Sequence, residues 1–397
     1  MQSLKCFIKY VAKITISGVL RFFWLFPIKN NKILFMNDHS YSYSDNLKYL
    51  CIYLLGKDAD KYKIFFSLKN TDGLIDKRIT PVRFLSLKHF YHALTSSVII
   101  TNNSGVVYLP IRKKKQLVIN TWHGGGPYKV TGTDAINNTW YEKDMRYTAG
   151  KVNYILSSCS VFSEKEAKGM GFQSNQVINC GMPRMDYFFD SKFMAETRQK
   201  IFKAYNIPIS SKLVIYAPTF RGLFENYENV IADDILEIDH RRLIESLSAK
   251  FGGKWQFAVR LHPRLKDVQI RDTDLINMSE YPDAEELLIA ADVLVTDYSS
   301  VMWDFSFSKK PIFLFAPDIN DYEVKRGFYI PPEEWPFPIA MTNDEIANNI
   351  RDFDQSSYLK LVSEHLASVG SYEKGNACEK VKSIIDKHLS SIGVKYE

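Results

Sequence analysis

A histidine followed by three glycines at the end of an apolar, strand-like run has the makings of a reactive site. In NTWHGGGPYKVTGTD (residues 120–134), His123 precedes Gly124, Gly125, Gly126 and Pro127. The glycines remove side-chain bulk, so a ligand can approach the main chain and its N–H groups can face an anion. A histidine in that setting can take a proton from an incoming hydroxyl at neutral pH, and Lys129 adds positive charge. A glycine turn with a surface histidine would read the same way, so the segment gains meaning only from others like it.

Four other segments have the same character. VRLHPR (259–264) sets His262 between Arg260 and Arg264, a combination suited to neutralising a diphosphate as a phosphorus–oxygen bond breaks. VTDYSSVMWDFSF (295–307) puts Ser299 and Ser300 before an apolar helical run, which reads as an N-cap and as an anion site at a helix start. Asp304, one turn further on, is placed to orient a ligand hydroxyl. YAPTFRG (216–222) and GMPRMD (181–186) set proline beside Thr219 and Arg221, and beside Arg184 and Asp186. Each alone reads as a turn, a cap or a solvated loop. Five together, all after strand-like runs, argue for one phosphate-binding cleft.

The elements that must position these turns are short apolar runs alternating with helical stretches. Strands are expected at 32–37, 62–68, 97–102, 116–122, 154–158 and 176–181, and again at 212–218, 256–262, 274–279, 292–297 and 311–317. Runs rich in Val and Ile that end in Gly, Pro, Asn or Asp read as buried parallel strands in βα units. The predicted fold class is therefore α/β, with two Rossmann-like parallel sheets facing a central cleft and the ligand at the carboxyl ends of the strands. The 397 residues exceed what one core usually supports. The division expected is an N-terminal helix at 1–28, a first domain at 29–190, and a second domain at 191–397 that includes a helical tail.

Composition narrows the chemistry. A formal charge of +6 suits anionic ligands near an anionic surface. No finger spacing or aromatic RNA-binding consensus points to nucleic acid. The cysteines (Cys6, Cys51, Cys159, Cys180, Cys378) are odd in number and scattered, which fits a reducing cytosol better than a disulfide framework or a zinc site. Residues 1–28 are apolar but broken by Lys5, Lys9, Lys13 and Arg21. The three lysines recur every four residues on one helical face, opposite Phe7, Ile8, Val11 and Ile14. The expectation is a helix lying in the plane of an anionic membrane, with its lysines toward the headgroups, rather than a spanning segment or a cleaved leader.

Taken in order, WHGGGPYK, GMPRMD, YAPTFR, RLHP, TDYSSVMWDF and DYEVKRGFY resemble the CDP-glycerol glycerophosphotransferase family of wall teichoic acid primases and polymerases. SYSDN (42–46) resembles that family's first loop, and the likeness runs from about residue 30 to 330. Gly125, Gly126 and Pro127 stand where many members have Thr-Pro, and Phe220 where Trp is common. The resemblance implies a GT-B-like fold and makes His123 and His262 the essential pair, His123 as base on the acceptor and His262 serving the donor phosphates. It carries donor contacts to Trp122, Gly124, Gly125, Gly126, Arg184, Pro218, Thr219, Arg260, Leu261, Ser299, Ser300 and Asp304.

The expected reaction is transfer of glycerol phosphate, or a related polyol phosphate, from CDP-glycerol or CDP-ribitol. The acceptor is a hydroxyl of a lipid-linked saccharide or polyol-phosphate polymer, in teichoic acid or capsule-like synthesis, and CMP is released. No cofactor is required, and Mg²⁺ enters, if at all, as a stimulant. The protein is expected at the cytoplasmic face of the membrane as a peripheral enzyme. Two rivals are a GT-B sugar-nucleotide glycosyltransferase, which would release a nucleoside diphosphate, and a non-catalytic CDP-polyol-binding membrane subunit, which would tolerate loss of either histidine.

Overall fold

The computed structural model describes residues 2–37, 42–71, 76–103, 112–219, 237–261 and 275–393. His262, Phe220 and Arg221 lie outside them. The chain divides into two units, one formed by Met1–Phe189 with Val369–Glu397 and the other by Asp190–Ser368.

The first unit is built on seven parallel strands: β1 (Lys29–Met36), β2 (Lys63–Leu68), β3 (Ile79–Arg83), β4 (Ser96–Thr101), β5 (Leu117–Asn120), β6 (Tyr154–Ser157) and β7 (Val177–Asn179). Their order is β3-β2-β1-β4-β5-β6-β7, so the direction of winding reverses between β1 and β4. Ile33, Leu34, Val98, Ile100, Ile119 and Ile155 are all but fully buried, as expected for strands covered on both faces. Strand β3 (ITPVR) was not foreseen: its Pro81 cannot donate to a ladder, and it is tolerated because β3 is the sheet's edge.

The second unit carries β8 (Lys212–Ala217), β9 (Trp255–Val259), β10 (Ile276–Asn277), β11 (Val293–Thr296), β12 (Ile312–Phe315) and β13 (Ile339–Ala340). All are parallel, in the order β10-β9-β8-β11-β12-β13, with the reversal between β8 and β11. Its helices start where short polar side chains can satisfy free N–H groups. Asp190 accepts from Phe193 at 2.9 Å, Asp239 from Arg242 at 3.1 Å, and Thr342 from Glu345 at 3.2 Å.

Two sequence expectations are corrected. The tail from Val369 onward belongs to the first unit, not the second. The reason lies in Asp186, whose carboxylate accepts the main-chain N–H groups of Ala377 (2.9 Å) and Cys378 (2.7 Å), pinning the start of the helix Ala377–Ser391. Burial raises the Asp186 pKa, and those N–H groups oppose the shift. Tyr62 fixes the same helix further along by donating to Asp386 at 2.6 Å.

The second correction concerns the N-terminal helix, Gln2–Leu20. Its face against the body is formed around Cys6, Tyr10, Lys13 and Ser17, and Lys13 is 5% exposed. Lys13 donates to Thr148 at 2.9 Å and pairs with Asp144, both on or at the end of the helix Thr139–Ala149. Thus the third lysine of the stripe is turned inward, and Leu4, Ile8, Val11 and Val19 are left exposed. A turn of 3-10 helix at Arg21–Leu25 continues that apolar surface, with Phe22 at 80% and Leu25 at 93% exposure. Among the described residues no helix is long and apolar enough to cross a membrane.

Candidate active site

In an open parallel sheet the ligand crevice forms beyond the carboxyl ends of the strands, where the winding reverses. In the first unit that position is held by Asn37 after β1 and Asn102 after β4, both 0% exposed. His123 follows the neighbouring β5. Its Nδ1 lies 2.8 Å from the main-chain oxygen of Asn102. A carbonyl oxygen can only accept, so Nδ1 carries a proton, and in the neutral imidazole the lone pair is then on Nε2. The ring is thereby held in the tautomer a general base requires.

The main chain leading to His123 is strained and held in place. Trp122 has φ of 56°, in the left-handed region that a bulky residue rarely adopts. Asn120 Oδ1 accepts its N–H at 2.8 Å, and Asn46 Nδ2 donates to its carbonyl at 3.0 Å. The resulting turn brings the Trp122 and His123 rings together, with centroids 4.2 Å apart and planes tilted by 38°. It also explains Gly124: a Cβ there would meet Trp122 Nε1 at 3.3 Å. Ser158, at the end of β6, donates to the carbonyl of Gly125 and steadies the glycine run from the other side.

Behind this turn is a polar network that sequence reasoning did not assign. The Asn102 amide donates to Asn37 Oδ1 at 2.9 Å and to Asp45 Oδ2 at 2.7 Å. Asp45, at φ 59°, pairs through its other oxygen with Arg184 at 2.8 Å. Arg184, expected on the donor, is 1% exposed and turns its guanidinium to Asp45 in the interior. Its main-chain N–H donates to Asn46 Oδ1 at 3.1 Å. The signal available beforehand was that buried strand-like runs such as KILFMN and SVIITN end in asparagine.

In the second unit the expected residues gather at adjacent strand ends. Pro218 and Thr219 follow β8, Arg260 and Leu261 follow β9, and Asp297 to Ser300 follow β11. Asp297, 0% exposed, ties two of these ends together by accepting from Thr219 N at 2.7 Å and Thr219 Oγ1 at 2.6 Å. Leu261 N donates to Ser279 Oγ at 2.9 Å, and Arg260 donates to the Tyr281 carbonyl at 2.7 Å.

Ser300 stands at the N-cap of the helix Val301–Ser306, but its side chain makes no cap bond. Neither Ser299 nor Ser300 spends its hydroxyl on a partner among the described residues, so both remain available to a ligand. Asp304 is buried, 4% exposed, within that same helix. Residues 262–264, including His262, fall outside the described residues.

Comparison with known proteins adds a third line of observation. A family model described as CDP-glycerol:poly(glycerophosphate) glycerophosphotransferase matches residues 19–387. A teichoic acid poly(ribitol-phosphate) polymerase of Bacillus spizizenii is 28% identical over 83% of this chain. This chain spans 52% of that relative's length. A teichoic acid glycerol-phosphate primase of Bacillus subtilis is 28% identical, with 82% of each chain covered. Among solved structures, the wall teichoic acid polymerase TagF superposes with a TM-score of 0.82 at 24% identity, covering 99% of both chains. A variant of TagF soaked with CDPG gives 0.80 at 25%, covering 98% of both. The two-sheet, GT-B-like architecture expected from the sequence is thus the observed one.

Proposed function

Because this chain belongs to the CDP-glycerol:poly(glycerophosphate) glycerophosphotransferase family, we propose that it transfers glycerol phosphate, or a related polyol phosphate, from a CDP-activated donor to an acceptor hydroxyl. The observation that carries this reading is the His123 ring, held through Nδ1 by the Asn102 carbonyl beside a glycine run. The acceptor oxygen attacks the donor's β-phosphorus, and its proton passes to His123 Nε2. The new oxygen–phosphorus bond forms as the bond from that phosphorus to CMP breaks. The donor phosphates are the charge of His262 and of the β8, β9 and β11 strand ends, with Thr219, Ser299 and Ser300 as hydrogen-bonding groups and Arg260 supplying positive potential. No step is routed through a metal.

Both CDP-glycerol and CDP-ribitol fit this chemistry. The acceptor is a lipid-linked saccharide or a polyol-phosphate polymer of the cell wall. The exposed apolar face of Gln2–Leu20 and the side chains of Phe22 to Leu25 support peripheral attachment to the anionic, cytoplasmic face of the membrane.

Product identity tests the reading. Purified protein given either CDP-polyol and a primed lipid disaccharide should release CMP in step with polyol phosphate incorporated. Release of a nucleoside diphosphate from a sugar donor instead would replace it with glycosyl transfer.

A further inference from the structure

At the opposite, amino ends of the first sheet's strands lies a cluster that the transfer reaction does not use. The parallel register sets Lys32 of β1 beside Lys63 at the start of β2. Lys29 opens β1, and the helix Leu87–Thr95 lays Tyr91 and His92 across the same strand ends. These residues, with Phe65, line a cavity of about 340 Å³. Lys32 lies five residues before Asn37 on an extended strand, so the cavity is roughly 16 Å from the reactive end of the sheet.

The electrostatics of the cluster lack a counter-charge. Lys32 is 2% exposed, yet among the described residues no carboxylate pairs with Lys29, Lys32 or Lys63. An ammonium group buried without an acid is costly. Among the described residues it is eased by Thr95 Oγ1 at 2.5 Å and by the Phe65 and Tyr91 rings, whose centroids lie 4.9 and 4.8 Å away. Burial, and secondarily Lys29, pushes Lys32 down to about 8. Burial, with Lys32 next in weight, pushes His92 down to about 4, and its buried Nδ1 has no hydrogen-bond partner among the described residues. Three cations and an unsatisfied imidazole nitrogen around a cavity describe a site for an anion with several acceptor oxygens.

The neighbourhood indicates the source of that anion. Tyr91, on the cavity wall, meets the edge of Phe26 at 5.8 Å, and Lys113 holds the Phe26 carbonyl at 2.6 Å. The cavity therefore adjoins the exposed stretch Phe22 to Phe26, where a membrane-seated apolar surface would bring lipid phosphates to the strand ends.

We propose that Lys29, Lys32, Lys63 and His92 form a binding site for the phosphate of an anionic phospholipid headgroup. This deepens the membrane reading given above and rests on it. Sedimentation with phosphatidylcholine vesicles, with and without phosphatidylglycerol, tests it in the full chain. Lys63→Gln, an exposed change that cannot unfold the protein, and Lys32→Met should each weaken binding to the anionic vesicles about fivefold. Lys165→Gln, exposed elsewhere on the same unit, should leave it unchanged. Equal losses in all three variants would reduce the effect to diffuse attraction and overturn the site.

Inorganic phosphate, followed by the His92 ring resonances, separates the sources. A shift with phosphate alone and unaltered vesicle binding by the lysine variants would assign a free anion and overturn the lipid. If Phe22→Ser with Leu25→Ser abolishes vesicle binding while the lysine variants bind normally, the site fails and the membrane reading survives. If the wild type binds no vesicle, both fail.

Discussion

His123 Nδ1 sits 2.8 Å from the carbonyl of Asn102, and the side chain of that same asparagine is held 2.7 Å from Asp45. The main chain that holds the His123 ring is thus anchored by its own residue's amide, through Asp45, to the buried guanidinium of Arg184. The chain of contacts runs from after β7 to after β4 to after β5, all within one unit. The network thereby holds the carbonyl to which His123 Nδ1 donates.

Asn102→Ala keeps the carbonyl but releases its anchor. Turnover should fall roughly ten- to a hundredfold, because a reacting group displaced by a fraction of an ångström to an ångström loses its alignment. Donor affinity should be unchanged. Isothermal titration with CDP-glycerol beside steady-state kinetics separates the two, and a parallel loss of donor binding would deny Asn102 this positioning role.

Arg184→Met leaves Asp45 buried without its cation and should lower unfolding stability by about 3–5 kcal/mol. Combining it with Asp45→Asn should recover part of that loss, since both charges are then gone. Urea denaturation of the three variants gives the coupling directly, and strict additivity would mean that the pair is not energetically joined.

The fold and the positions of the candidate turns were legible because buried parallel strands have a plain signature, and those turns stand just after them. Strands β8 and β11 lie within their expected runs, and β1 and β4 overlap theirs but start earlier, at Lys29 and Ser96. The roles inside the site were less legible. Arg184 reads in sequence as a phosphate ligand, and nothing local marks its burial against Asp45. Asn102 has no local mark, because its partners Asn37 and Asp45 are 65 and 57 residues away. The return of the last helix to the first unit depended likewise on Asp186 capping a helix 191 residues later. Such long-range pairings carry no periodicity for a sequence reading to detect.

Acid should destabilise both units. His89 and His92 in the first unit and His365 in the second are pushed by burial to about 4, from an ordinary 6.5. Between those values the unfolded chain binds more protons than the folded one, so stability is fully present above pH 6.5 and falls as pH drops toward 4. Urea midpoints across that window should decrease steadily. His89→Gln, which can keep a hydrogen bond to Ser67, should flatten the slope, and an unchanged slope would contradict the assignment.

Phe22→Ser with Leu25→Ser removes two side chains that are 80% and 93% exposed. Folding stability should stay within about 0.5 kcal/mol. Sedimentation with anionic vesicles should fall at least about tenfold, because each side chain is worth about 1.5–3 kcal/mol when buried in an apolar phase. Undiminished sedimentation would leave this surface without a role at the membrane.

The central claim is that His123 Nε2 takes the acceptor's proton during polyol-phosphate transfer, and CMP release by wild type and His123→Ala tests it most directly. With CDP-glycerol and a primed lipid acceptor, the variant should bind donor as the wild type does, yet turn over roughly a hundredfold or more slowly. Near-normal CMP release from His123→Ala would contradict the account.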